Sequence, residues 1–76
     1  MNGKLLGQNI SYLRKKKNMT QQELANKIGI TREQLSNFET GKVKRISAMV
    51  ISNVAIIFEV NIYDLENINL EMYVEV

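Results

Sequence analysis

Apolar residues in this chain recur at helical spacing from the start to about residue 65, and then the rhythm changes. Leu5, Leu6, Ile10 and Leu13 form a first stripe, with Asn9 expected to face out. A second short helix over about Gln21 to Ile28 buries Leu24, Ala25 and Ile28. A third, over about Arg32 to Thr40, turns Leu35 and Phe38 inward. A fourth covers about Ser47 to Phe58, with Ile51, Val54, Ala55 and Phe58 at core spacing and Met49, Val50, Ile56 and Ile57 left over outside that stripe. Asn61 caps a short fifth helix through Ile62, Tyr63, Asp64 and Leu65. Beyond it, Ile68, Leu70, Met72, Val74 and Val76 alternate with polar or larger neighbours, a two-residue period that predicts a β-strand.

The helix ends are written in local chemistry. Thr20 with Glu23, and Thr31 with Gln34, are capping boxes, in which the hydroxyl takes the third backbone N–H and the longer side chain reaches back to the cap. Met19 with Leu24, and Ile30 with Leu35, sit where a hydrophobic staple would close over each box. Gly29, between the two units, favours the left-handed turn that ends a helix. Asn18 and Gly41 are the matching stops for the first and third helices. Two rigidly begun helices joined by a tight glycine turn make a helix-turn-helix, whose second helix commonly enters a DNA major groove.

Charge sharpens this picture. Residues 1–45 hold all ten Lys and Arg with three acids, a net +7, while residues 46–76 hold five acids and no cation, a net −5. A basic half of this kind suits a polyanion. The third helix divides accordingly. At about 100° per residue from Arg32, Ser36 falls at about 40°, Glu33 at about 100° and Asn37 at about 140°, opposite Leu35 and Phe38. Arg32 can fork onto guanine O6 and N7, Asn37 can pair with adenine, and Glu33 can accept from cytosine N4. Gln34 is drawn toward its cap instead. Phosphate contacts are expected from Gln21 and Thr31 at the helix starts, and from Lys42, Lys44 and Arg45 in the basic connector after the third helix. These position the protein without reading sequence.

Other chemistries lack parts. With neither His nor Cys, and no acid cluster at metal-ligand spacing, acid–base, nucleophilic and metal catalysis have no candidates, and no cofactor or small-molecule ligand is expected. Gly3 and Gly7 are isolated and form no phosphate-cradling loop. The first twenty residues include Lys4, Arg14 and three further lysines but no long apolar run, so a cytoplasmic chain is expected rather than a secreted or membrane one.

Residues 4–66 resemble the lambda-repressor-like, Cro/C1-type (XRE-like) helix-turn-helix family of phage and bacterial regulators. The resemblance rests on Leu13-Arg14, Thr20-Gln21-Gln22-Glu23-Leu24-Ala25, Gly29-Ile30-Thr31, Leu35-Ser36, Glu39, Gly41, Val54-Ala55 and Leu65. The connector Gly41-Lys42-Val43-Lys44-Arg45 is similar to that of lambdoid repressors. This likeness implies five helices, Gln21 on a phosphate or outer base, base reading by Arg32, Glu33 and Asn37, and an Arg14–Glu39 ion pair locking the first helix to the third. Ile46 stands where the family often has Pro, and Glu59 where it often has Gly, so a left-handed cap at Glu59 is strained.

The expectation is therefore an all-α, five-helix lambda-repressor-like domain over residues 1–66, followed by a C-terminal strand, 67–76, able to pair in a dimer. Ile57, Ile68, Leu70, Met72 and Val74 are the expected dimerisation residues, both because a lone strand needs a partner and because the fourth helix carries surplus apolar surface. The function expected is a homodimeric, sequence-specific DNA-binding repressor on a two-fold operator, with half-sites about 34–36 Å apart. The alternative is an antitoxin-like protein whose C-terminal half binds a protein toxin.

Overall fold

A computed structural model describes residues 3–73 and contains, among them, helices only. The order is α1 (Gly3–Lys16), α2 (Gln21–Ile28), α3 (Arg32–Glu39), α4 (Ala48–Phe58) and α5 (Ile62–Asn67), then a 3-10 turn over Leu70–Met72. The five-helix all-α architecture read from the sequence is the one observed.

The helix starts are built as the sequence dictates. Thr20 Oγ1 accepts from the Glu23 amide at 3.0 Å, and Glu23 Oε1 accepts from the Thr20 amide at 2.8 Å. Thr31 and Gln34 repeat the exchange at 3.1 and 2.9 Å. The Glu23 carboxyl is held below the usual carboxylate range, first by the Thr20 backbone N–H and then by the Thr20 hydroxyl, because both bonds favour its charged form. Left-handed residues close the helices: Asn18 after α1, Gly29 after α2 and Gly41 in the turn beyond α3. Glu59 also takes this conformation, at φ 55° and ψ 44°, so α4 ends where the family pattern ends it, despite the side chain.

Leu6, Ile10, Leu24, Leu35, Val54 and Leu65 make a sealed centre, joined by Ile28, Ile46, Ile51 and Phe58. Val50 belongs to this core rather than to a surplus face, being only 7% exposed. It lies one turn from Val54, and α4 is central enough to bury an arc wider than one stripe. Met49 and Ile56 do stay outside, at 72% and 73% exposed. Helix α1 crosses the end of α3 at Gly7, where a methyl group would overlap the Phe38 carbonyl. The packing of α1 on α3 is the one the resemblance implies, but nothing in the sequence marks Gly7 as its closest point.

Two sequence expectations fail together. Asn9 is buried, 1% exposed, not outward. Its Nδ2 donates to the carbonyls of Leu65 and Ile68, both at 2.7 Å, and its Oδ1 accepts from the Leu70 amide at 3.0 Å. One side chain thus satisfies backbone groups at the end of α5 and in the segment after it. That segment is drawn onto α1 and winds into a 3-10 turn at residues 70–72, so no strand forms there. Val74 and Val76 of the expected strand lie outside the described residues.

Candidate nucleic-acid interface

The interface is assembled around α3. Leu35 is fully buried and Phe38 packs partly against the core, which fixes the helix by one side. Arg32, Glu33 and Gln34 are exposed in its first turn; Ser36 and Asn37 are half-buried along its flank. Gln34 spends its carboxamide oxygen on the Thr31 cap. The far end is closed by the Thr40 hydroxyl on the Ser36 carbonyl at 2.9 Å and by the Lys42 amide on the Asn37 carbonyl at 3.0 Å. The connector then runs outward, with Lys42, Lys44 and Arg45 all exposed.

A buried ion pair sets the angle of α3 against α1. Arg14 Nε and Nη2 donate to the two oxygens of Glu39 at 2.7 and 3.0 Å, and Nη1 donates to the Met19 carbonyl at 2.8 Å. The two side chains are 11% and 5% exposed. A guanidinium fork against a carboxylate fixes orientation as well as distance. Gln21, at the first position of α2, joins the group by donating Nε2 to Glu39 Oε1 at 3.1 Å. Arg14 of α1 and Gln21 at the start of α2 therefore share one acceptor at the end of α3. Sequence reasoning placed Gln21 at a phosphate but missed this bond, and no local signal announces a partner eighteen positions away.

The expected dimerisation residues do not share one surface fate. Ile57 and Leu70 pack partly on the core, Ile68 is half-buried, Met72 is 76% exposed, and Val74 is outside the described residues. Among the described residues no group of three His, Cys, Asp or Glu lies where it can hold a metal ion, and no helix is long and apolar enough to cross a membrane.

A family model described as helix-turn-helix matches residues 10–65. The chain belongs to the Cro/C1-type helix-turn-helix family. Its fold is similar to that of the clp gene regulator ClgR from Corynebacterium glutamicum, with 25% identity and a TM-score of 0.75 over 84% of this chain and 67% of that one. It is also similar to SinR, a master regulator for biofilm formation solved in complex with DNA, at 29% identity and a TM-score of 0.74 over 82% and 98% of the two chains. A second ClgR structure, 23% identical, shares the fold over 96% of this chain and 95% of the other, with a TM-score of 0.75. No curated protein matches the chain. The Cro/C1-type helix-turn-helix family comprises DNA-binding transcription regulators, and neither it nor the fold is one of enzymes.

Proposed function

We propose that this helix-turn-helix protein binds a two-fold DNA operator in the cytoplasm as a homodimer and represses transcription by occupying a promoter. One observation carries the reading: α3 is sealed to the core through Leu35 while Arg32 and Glu33 stand free at its N-terminal end. A helix in the major groove reads base edges from that end. Arg32, Glu33, Ser36 and Asn37 are the base-reading set. Gln21, Thr31, Lys42, Lys44 and Arg45 hold phosphates around them. The basic half of the chain supplies the electrostatic attraction, and the likeness to SinR, solved on DNA, supports the same use of the fold.

The second copy is supported by apolar surface left open on the described residues. Met49, Ile56, Tyr63, Met72 and Tyr73 are all more than 60% exposed. Selection of duplexes from a random pool tests the whole reading and should return an inverted repeat. Replacing Arg32, Glu33 and Asn37 together by alanine should then abolish preference for that duplex while leaving weak, salt-sensitive binding. An unchanged preference in a folded triple variant would overturn the assignment of α3. Light scattering should give a dimer, and a monomer would remove the two-fold operator.

A further inference from the structure

We infer that Lys4, in the first turn of α1, is a further phosphate-positioning residue, acting with Lys42, Lys44 and Arg45 at the C-terminal end of α3. The inference rests on the DNA-binding reading above and adds a contact from an element outside the helix-turn-helix. A Cβ placed on Gly41 would stand 3.4 Å from Lys4 Cγ, 3.7 Å from its Cβ and 3.8 Å from its Cα. The Lys4 stem therefore runs beside Gly41, in the turn beyond α3. Its backbone is fixed there as well. A Cβ on Gly3 would meet the Val43 carbonyl oxygen at 2.8 Å and the Lys44 carbonyl oxygen at 2.5 Å, so the first turn of α1 is seated against the connector's backbone. Lys4 is an exposed residue, and its turn of α1 sits at the same end of the molecule as Lys42 and Lys44.

That end lies near DNA for a geometric reason. Helix α3 has eight residues. At about 1.5 Å per residue it is about 12 Å long. The major groove is about 12 Å wide. A helix of that length lying across the groove brings its far end close to a phosphate strand when its near end reaches bases. Cations gathered at the far end meet that strand. A lysine there also complements the negative end of the helix dipole, a purely structural use of the charge. DNA binding separates the two roles, because only a phosphate contact releases a counterion.

The test measures fluorescence anisotropy of the full chain on two duplexes, the one selected from the random pool and an unrelated one, across a salt series. Lys4→Gln should lower the slope of log K against log salt by about 0.9. Binding should weaken by about eightfold at about 0.1 M salt and by about twofold at about 0.5 M, equally on both duplexes. Lys4→Arg should restore the slope, and the melting temperature of both variants should match the parent. Lys42→Gln serves as the reference loss. If Lys42→Gln lowers the slope and Lys4→Gln does not, whether or not Lys4→Gln melts earlier, the assignment of Lys4 is overturned and the DNA-binding reading stands. If the parent shows a flat salt dependence on both duplexes, the DNA-binding reading fails and the assignment falls with it.

Discussion

Removing the Glu39 carboxylate should unfold this domain rather than merely loosen its grip on DNA. In Glu39→Ala, the Arg14 guanidinium keeps the Met19 carbonyl but loses both of its charged acceptors, and Gln21 loses the one it shares. With the pair 11% and 5% exposed, solvent cannot fully replace them. Leaving one member of a buried pair behind costs about 3–5 kcal/mol. Arg14 keeps one bond and a little solvent contact, so the lower figure, about 3 kcal/mol, is the better choice. Domains of this size are stable by only about 3–5 kcal/mol in total.

Urea denaturation followed by circular dichroism reads this directly. With a denaturant slope of about 1 kcal/mol per molar for a small domain, a loss of about 3 kcal/mol lowers the midpoint by about 3 M, close to zero urea. Replacing both partners, Arg14→Met with Glu39→Leu, removes the stranded charge and should recover most of the loss. The resulting cycle should give a coupling of about 2–3 kcal/mol, within the range for residues in direct contact. A Glu39→Ala midpoint within about 0.5 M of the parent would refute the reasoning, since it would mean that the pair fixes nothing the core does not already fix.

Three further substitutions test the packing. Gly7→Ala would ordinarily favour a helix by about 1 kcal/mol, but here the methyl meets the Phe38 carbonyl and comes within 3.5 Å of Glu39 Cα. It should instead destabilise by about 1–3 kcal/mol, and a rise in melting temperature would contradict the crossing. Glu59→Gly removes a left-handed penalty of about 1–2 kcal/mol at the cost of added freedom in the unfolded chain of about 0.5–1. The net gain of about 0.5–1 kcal/mol should raise the melting temperature by about 3–6 °C, and a fall would be the contrary result. Asn9→Leu leaves one buried carbonyl, and a carbonyl and an amide that are partly buried, without the Asn9 side chain, and should cost about 2 kcal/mol. Amide exchange at Leu70 should accelerate in that variant beyond the change in global stability, and equal protection would rule out the clamp.

What could be read from the residues alone is local, while the one long-range feature, the Arg14–Glu39 pair, comes through the family resemblance. Both capping boxes, the turns at Asn18, Gly29 and Gly41, and the two faces of α3 depend on residues within about one helical turn of each other, where spacing alone fixes geometry. The candidate base-reading residues come from this legible part. Asn9 was unreadable because a polar residue in a helical stripe signals an outward face unless partners exist. Its partners lie 56 to 61 positions away. Val50 lies outside a single apolar stripe, yet it is buried because α4 covers a wider arc. The bond from Gln21 to Glu39 and the approach of Lys4 to Gly41 have the same origin: both join segments whose approach is set by tertiary packing.

The C-terminal segment shows how a period can be real and still mislead. Alternation at Ile68, Leu70 and Met72 records which side chains are apolar, while a strand requires something more, a row of backbone partners. Asn9 supplies partners from within the chain, taking the Ile68 carbonyl and the Leu70 amide as well as the last core carbonyl of α5. With those groups satisfied, a ribbon with a second copy would have to break three hydrogen bonds and withdraw Leu70 from the core before forming its own. The 3-10 turn involves no such exchange. In the homodimer we propose, a second copy is therefore needed not to complete the backbone of residues 68–72 but to cover side chains the fold leaves open, Met49 and Ile56 on α4 foremost.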